Sequence, residues 1–412
     1  MQLSLEVIAT QETGMKALKS LRLHIALFGR TNVGKSSILN AITAQQVSIV
    51  SDIKGTTTDV VEKSCELFPV GPVTFLDTAG IDDVTALSEQ RIEKTLKVLN
   101  RTDVAVLIIT AEGLSSYDID LINKFRELYI PFIVIVNKSD IKQISNEKFG
   151  EIKKYTSNIY PMSALKDNSI TDNFVSALVK IVPDEFVNPP SILGDMVKKS
   201  DVVILVTPID KEAPKGRLIL PEVQTIRDLL DNDCAAFVVQ QNNLKMAIDN
   251  LKTPPKLVVT DSQAFEEVNS IVPPEINLTS FSILFARLKG DLKTFLKGAE
   301  TISTLKSHDK VLILESCTHH NIEDDIARVK IPKLLKKKLG YELDFYYKSG
   351  HDFPDITPYK LIIHCGACMT NRKEVLSRIL IANKKQVPIT NYGIVISYCL
   401  GILERAVKTF GI

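Results

Sequence analysis

A run of strand type, Leu23–Phe28, leads straight into Gly29, four further residues, then Gly34, Lys35 and Ser36, and a helical pattern follows from Ser37 to about Ala44. Strand, G-x-x-x-x-G-K-S, helix is a phosphate-binding loop in the setting it requires. It commits this part of the chain to an α/β sheet. The glycines let backbone N–H groups close round phosphate oxygens, and the helix N-terminus adds its positive end. Gly29, Arg30, Thr31, Asn32, Val33, Gly34, Lys35, Ser36 and Ser37 are therefore candidate nucleotide contacts. Lys35 is expected to reach the β- and γ-phosphates, and Ser36 to ligate Mg2+.

Three further motifs follow in order. Val73–Gly80 reads as a strand ending in D-x-x-G, with Asp77 holding Mg2+ through water and the Gly80 N–H contacting the γ-phosphate. Phe132–Val136 reads as a strand that runs into Asn137, Lys138, Ser139 and Asp140, an N-K-x-D motif. A carboxylate at Asp140 can accept two hydrogen bonds from the guanine N1–H and N2 amino group, and adenine presents no such pair. That selects GTP over ATP. Ser163 and Ala164 are placed to bring a backbone N–H near guanine O6. Together, from about Leu21 to Val182, these motifs resemble the translation-factor-like GTPases.

Two details narrow the resemblance. Ile81 stands after Gly80, where Ras-like switches carry a water-orienting Gln. An apolar side chain cannot orient water by hydrogen bonding, so hydrolysis needs another route and is expected to be slow. Asn32 inside the loop and Gly55–Asp59 at the switch I position are similar to the potassium-activated GTPases related to the tRNA-modification protein TrmE. That likeness implies Asn32 as a K+ ligand and Thr57 as the switch I Mg2+ ligand, with Thr56 the neighbouring alternative. Lys35, Ser36, Thr57, Asp77 and Gly80 are the implied catalytic set.

At 412 residues the chain is long enough for two or three domains. Residues 1–187 form the expected nucleotide-binding unit. Val182–Pro190, with three prolines in nine residues, reads as a linker. A short strand–helix–strand–helix–strand pattern then occupies 188–270. Such a unit is small enough to leave a sheet edge uncovered, so self-association as a homodimer is expected. The pattern resumes over 271–412, with apolar runs at Phe281–Leu288, Val311–Leu314, Ile326–Leu339, Leu361–Ile363, Glu374–Ala382 and Tyr392–Val407. The expected architecture is a doubly wound P-loop sheet followed by two smaller α/β domains. A net charge of +1 gives no basic field for nucleic acid, and no glycine has another three residues on, as an RNA-clamping G-x-x-G needs. Met1–Ser20 has no apolar core of a secretory signal, and no run is long enough to span a membrane. A cytoplasmic protein with thiols rather than disulfides is expected.

The thiols cluster late. Cys317, His319 and His320 follow the run Val311–Leu314; His364, Cys365 and Cys368 follow Leu361–Ile363. The two form a near-mirror pattern, C-x-H and H-C-x-x-C, each at the end of an expected strand. A C-x-x-C pair alone is weak evidence, whereas two metal-type motifs at strand ends are much stronger. The residue chemistry fits either a Cys3His zinc site or a 4Fe–4S cluster held by three thiolates.

The combination of a potassium-type GTPase unit, a small middle unit and this C-terminal pattern resembles the GTPases of FeFe-hydrogenase maturation over essentially the whole chain. The resemblance implies a 4Fe–4S cluster on Cys317, Cys365 and Cys368. His319 or His364 is then the candidate fourth ligand, with Glu315 or water left open. It further implies a scaffold that receives a transient di-iron precursor from two radical-SAM maturases and passes it to the apo-hydrogenase. Nucleotide state is expected to act by ordering segments around 45–60 and 77–90.

Overall fold

The computed structural model describes residues 22–44, 51–53, 61–78, 89–167, 169–187, 190–209, 218–316, 325–351, 353–368 and 370–411. Seven strands form the first sheet: β1 (Leu23–Phe28), β2 (Ser51–Ile53), β3 (Val61–Leu67), β4 (Gly71–Asp77), β5 (Val104–Ile109), β6 (Phe132–Val136) and β7 (Ile159–Pro161). Their order is β2-β3-β4-β1-β5-β6-β7. Only the pairings of β2 with β3 and of β3 with β4 are antiparallel. Every residue of β1 and β5 is buried, as expected of central parallel strands covered on both faces. Alternate side chains divide between those faces. Ile25 and Leu27 join Ile38 and Phe174 on one, while Ala26 and Phe28 join Ile122 and Phe125 on the other.

The second sheet contains β8 (Val202–Val206), β9 (Ala235–Val239), β10 (Leu257–Thr260) and β11 (Asn277–Ser280), ordered β11-β10-β8-β9 and parallel throughout. Its fourth strand therefore comes from beyond residue 270, where the sequence suggested a boundary. The third contains β12 (Lys310–Glu315), β13 (Asp344–Ser349), β14 (Leu361–His364) and β15 (Ile389–Asn391), ordered β13-β12-β14-β15 and also parallel. β11, β13 and β15 carry no unbroken apolar run, so hydrophobic periodicity does not reveal them. Pairing with a buried neighbour recruits them. The run Tyr392–Val407 forms two helices, Tyr392–Cys399 and Leu403–Lys408. Gly401 between them adopts φ 74°, a left-handed break that a glycine makes without strain.

The second and third sheets share one core. Ile204, Val206 and Leu278 belong to the same apolar cluster as Leu312, Leu314 and Ile363. The helix Phe281–Lys289 is the keystone between them. Its Phe281, Leu284 and Phe285 pack with Val203 and Leu205, and its Ile283 and Ala286 belong to the shared core. At the far side of the second sheet β9 is an edge. Phe237 and Val238 are 43% and 42% exposed there, flanked by exposed Val223, Leu230 and Met246.

Candidate functional site

The nucleotide loop is built by β1 and the helix Lys35–Ala44. Gly29 and Gly34 have φ of 144° and 95°, and a Cβ at either would lie 2.2 Å from the Ile108 carbonyl oxygen or 2.3 Å from Asn137 Nδ2. Only glycine fits both places. Lys35 Nζ donates to the carbonyls of Gly29 (2.8 Å) and Arg30 (3.1 Å), curling back over its own loop. Ser36 Oγ donates to Asp77 Oδ2 at 3.0 Å, so the two expected Mg2+ groups meet. The guanine side is tied to the same loop. Asn137 Nδ2 donates to the Val33 carbonyl at 2.8 Å, and Lys138 Nζ to the Asn32 carbonyl at 2.8 Å. Ser163 Oγ donates to Asp140 Oδ1 at 2.7 Å, and the Ala164 N–H to Asn137 Oδ1 at 3.3 Å. Thr31, Asn32, Ser36 and Ser37 are exposed at the loop. The Arg30 side chain turns away, its Nε 3.4 Å from Asp118 and its Nη2 donating to the Gly113 carbonyl, so only its backbone serves the loop. Thr56, Thr57, Gly80 and Ile81 lie outside the described residues.

The second site sits where the carboxyl ends of β10, β12 and β14 face one cavity, the usual place for ligands in open α/β sheets. The cavity holds 230 Å3 and is lined by Cys365 to Cys368, by Glu315 and Asp325, by Ser262, and by Phe281, Tyr392 and Ile396 among others. Cys365 Sγ accepts from the Ser316 N–H at 3.1 Å and the Ala367 N–H at 3.5 Å. Ala367 holds φ 53° and is buried. Behind the loop Lys289, 3% exposed, donates to the carbonyls of Ala367 (2.7 Å), Cys368 (3.3 Å) and Thr370 (3.0 Å). Burial pulls the Lys289 pKa down to about 8, while the negative charges available at Cys368 and Cys365 act to raise it. Among the described residues no three His, Cys, Asp or Glu side chains converge as a metal site. Cys317, His319 and His320 lie outside those residues, although Ser316, the neighbour of Cys317 in the chain, touches Cys365.

His364 departs from expectation. It is 1% exposed, its Nε2 accepts from Arg378 Nη1 at 2.9 Å, and its Nδ1–H donates to the Cys365 carbonyl at 2.8 Å. Burial, with the Arg378 cation adding to it, pushes its pKa down to about 3. A neutral ring with both nitrogens engaged, outside the cavity lining, supports the loop and has no lone pair for a metal. Arg378 in turn donates to Glu374 Oε1 at 2.6 Å. Burial would raise the Glu374 carboxyl, but the His351 hydrogen bond and the Arg378 cation outweigh it and hold the pKa at about 2. Arg378 and Glu374 both belong to the helix Arg372–Lys384, whose N-terminal end docks on the nucleotide unit. Asn371 Nδ2 donates to the Arg101 carbonyl at 2.9 Å and lies 3.1 Å from His24 Nδ1, and Lys373 Nζ donates to the Leu128 carbonyl at 2.7 Å. Arg372 pairs with Glu185.

Comparison with known proteins decides the family. Residues 192–290 match the hydrogen maturase F dimerization domain, and residues 293–409 the hydrogen maturase F tetramerization domain, together just over half of the chain. Residues 24–138 match the 50S ribosome-binding GTPase domain. The chain belongs to the hydrogen maturase F (HydF) family. Its N-terminal sheet carries a P-loop GTPase domain.

Among curated relatives, the GTPase Der of Nitratiruptor sp. is 36% identical over 147 residues, covering 35% of this chain and 32% of that protein. The tRNA modification GTPase MnmE of Caldicellulosiruptor saccharolyticus is 38% identical over 149 residues, covering 36% of this chain and 31% of that protein. The chain thus spans about a third of the length of each. The structure of Aquifex aeolicus Era bound to GDP·AlF4− aligns at 22% identity and a TM-score of 0.32, over 60% of this chain and 97% of that one.

Of the residues at and behind the cysteine loop, Lys289, Glu374, Arg378 and Tyr392 were not singled out from sequence. Lys289 left one signal, a lysine closing the largely apolar helix Phe281–Lys289. Glu374 also yields a pH test. Its folded carboxyl lies below the ordinary 4.5, so its contribution is complete above pH 4.5 and is lost as pH falls from there towards 2. Urea denaturation should show Glu374→Gln less stable than the parent by about 3 kcal/mol at pH 7, with the gap narrowing below pH 4.5. A gap that stays constant down to pH 3 would mean the carboxylate charge is not what stabilises this helix.

Proposed function

We propose that this hydrogen-maturase-F-type GTPase is a cytoplasmic scaffold that holds a 4Fe–4S cluster and carries a di-iron precursor from two radical-SAM maturases to the apo FeFe-hydrogenase. The observation that carries the reading is the cavity with both Cys365 and Cys368 in its lining, the first thiol already receiving two backbone N–H groups. Those donors and the buried Lys289 ammonium behind the loop suit a thiolate-bound metal group. Cys317, Cys365 and Cys368 would hold the cluster, which would supply an iron without a cysteine and hence an exchangeable position. His319 remains a candidate for that position, as does Glu315, which lines the cavity. The rest of the work falls to this chain: Ser316 and Ala367 N–H groups fix Cys365, and Lys289 and His364 hold the loop carbonyls.

The deciding experiment is iron and zinc analysis of anaerobically prepared protein, with EPR after dithionite. About four irons per chain and a reduced-cluster signal, both lost in Cys365→Ser, are expected. One tightly held zinc and no iron, even after reconstitution, would leave a zinc-braced GTPase instead.

The GTPase is proposed to be slow and potassium-activated. Asn32 is exposed at φ 64°, and its carbonyl is held by Lys138. Turnover in KCl should exceed that in NaCl at equal ionic strength, and equal rates would remove Asn32 as a K+ ligand.

Self-association is proposed to run through β9. A parallel edge strand with exposed Phe237 and Val238 offers both unpaired backbone and apolar surface to a second copy. Light scattering should show Val238→Lys shifted towards monomer, whereas an unchanged mass would place the contact elsewhere.

A further inference from the structure

Two residues that line the cysteine cavity have buried hydroxyls with no hydrogen-bond partner among the described residues: Tyr392, 9% exposed, and Ser262, 5% exposed. Both line the cavity that contains Cys365 and Cys368. An unsatisfied buried donor costs about 1–3 kcal/mol, and native structures keep such groups for a ligand or an ordered water. Thr279 and Thr390 also have unpartnered hydroxyls, but they lie on β11 and β15 and do not line the cavity.

The placement is built in. Asn391 Oδ1 accepts from the Gly393 N–H at 2.9 Å and starts the helix Tyr392–Cys399. Gly393 then lets that helix approach the middle unit: a Cβ there would lie 2.4 Å from Ser282 Cβ and 3.2 Å from Ser262 Oγ. Tyr392 and Ser262 arrive on neighbouring walls from different sheets. Charge in the cavity is partly balanced already. Arg328 pairs with Glu315 at 2.9 Å and with Asp325 at 3.3 Å, and Asp261 Oδ1 accepts from the Gln263 N–H. The cavity lining offers a ligand the thiols of Cys365 and Cys368, the neutral O–H groups of Tyr392 and Ser262, and the carboxylates of Asp261, Glu315 and Asp325, the last two paired with Arg328, amid Phe281, Phe285, Ile326 and Ile396. At 230 Å3 it exceeds several-fold the roughly 30 Å3 share of one water. An occupant bound through sulfur, with diffuse negative charge and further sulfur acceptors, matches that inventory.

We propose that the Tyr392 and Ser262 hydroxyls are hydrogen-bond donors to a sulfide-bearing iron cluster seated on Cys365 and Cys368, so that the middle unit supplies part of the cluster site. The inference rests on the cluster reading above and adds two positioning residues to it. Hydrogen bonds to cluster sulfur stabilise the more negative, reduced form and raise the potential. Removing one lowers it.

The test uses full-length protein reconstituted with iron and sulfide without oxygen, titrated with dithionite and followed by EPR, with ENDOR in H2O and D2O. Tyr392→Phe is expected to take up as much iron as the parent, titrate at a lower potential and lose one exchangeable-proton coupling. Ser262→Ala should shift the same way by less. Unchanged potential and coupling at equal iron content would overturn the inference and leave the hydroxyls to ordered water. Where Tyr392→Phe takes up no iron, Ser262→Ala decides by the same two readouts. No iron in the parent protein would instead overturn the cluster reading beneath it.

Discussion

The ammonium of Lys289 holds three consecutive stretches of loop backbone at once, through the carbonyls of Ala367, Cys368 and Thr370. A buried cation is unfavourable unless its donors are all used, and here they are. The arrangement explains why Ala367 can sit at a left-handed φ of 53° without a glycine's freedom. Surrounding structure over-determines the conformation. It also explains why the second and third sheets must be one body, because the lysine comes from the helix that packs under the middle sheet and the carbonyls come from the loop after β14. Separating the sheets would strand the charge.

From this loop a buried polar chain runs to the nucleotide unit. The Cys365 carbonyl is held by His364, His364 by Arg378, Arg378 by Glu374, and the Glu374 N–H by Asn371, which reaches the Arg101 carbonyl. Arg101 in turn pairs at 2.7 Å with Glu62 near the start of β3. Each of these side chains is at most 9% exposed overall. Buried polar networks satisfied along their length specify one arrangement more strongly than apolar contacts of equal size. The three residues Asn371, Arg372 and Lys373, all docked on the nucleotide unit, begin only three residues after Cys368.

What the sequence disclosed follows physical lines. The phosphate-binding loop, Asp77, Asn137 and Asp140 were legible because their roles demand fixed residue types at fixed spacing next to apolar strands. The structure brings these groups together. The cysteine pair was legible for the same reason, and its flanking strands β12 and β14 carry long apolar runs. His364 was read from its spacing alone, and spacing does not say which way a ring faces; Arg378, fourteen residues on, decides that. Lys289 and Tyr392 belong to helices that are mostly apolar where they are buried, so periodicity assigns them to the core. β11, β13 and β15 escaped because their strand character is supplied by neighbours rather than by their own residues.

β1 has a consequence of a mechanical kind. It carries Gly29 and the phosphate-binding loop at its carboxyl end, and His24, against Asn371, near its amino end. It is hydrogen-bonded on both sides, to β4 and β5. Six residues of strand span about 20 Å, and a strand clamped in this way behaves as a strut that neither shortens nor bends. The nucleotide pocket and the cysteine loop therefore stand at the two ends of one rigid spacer.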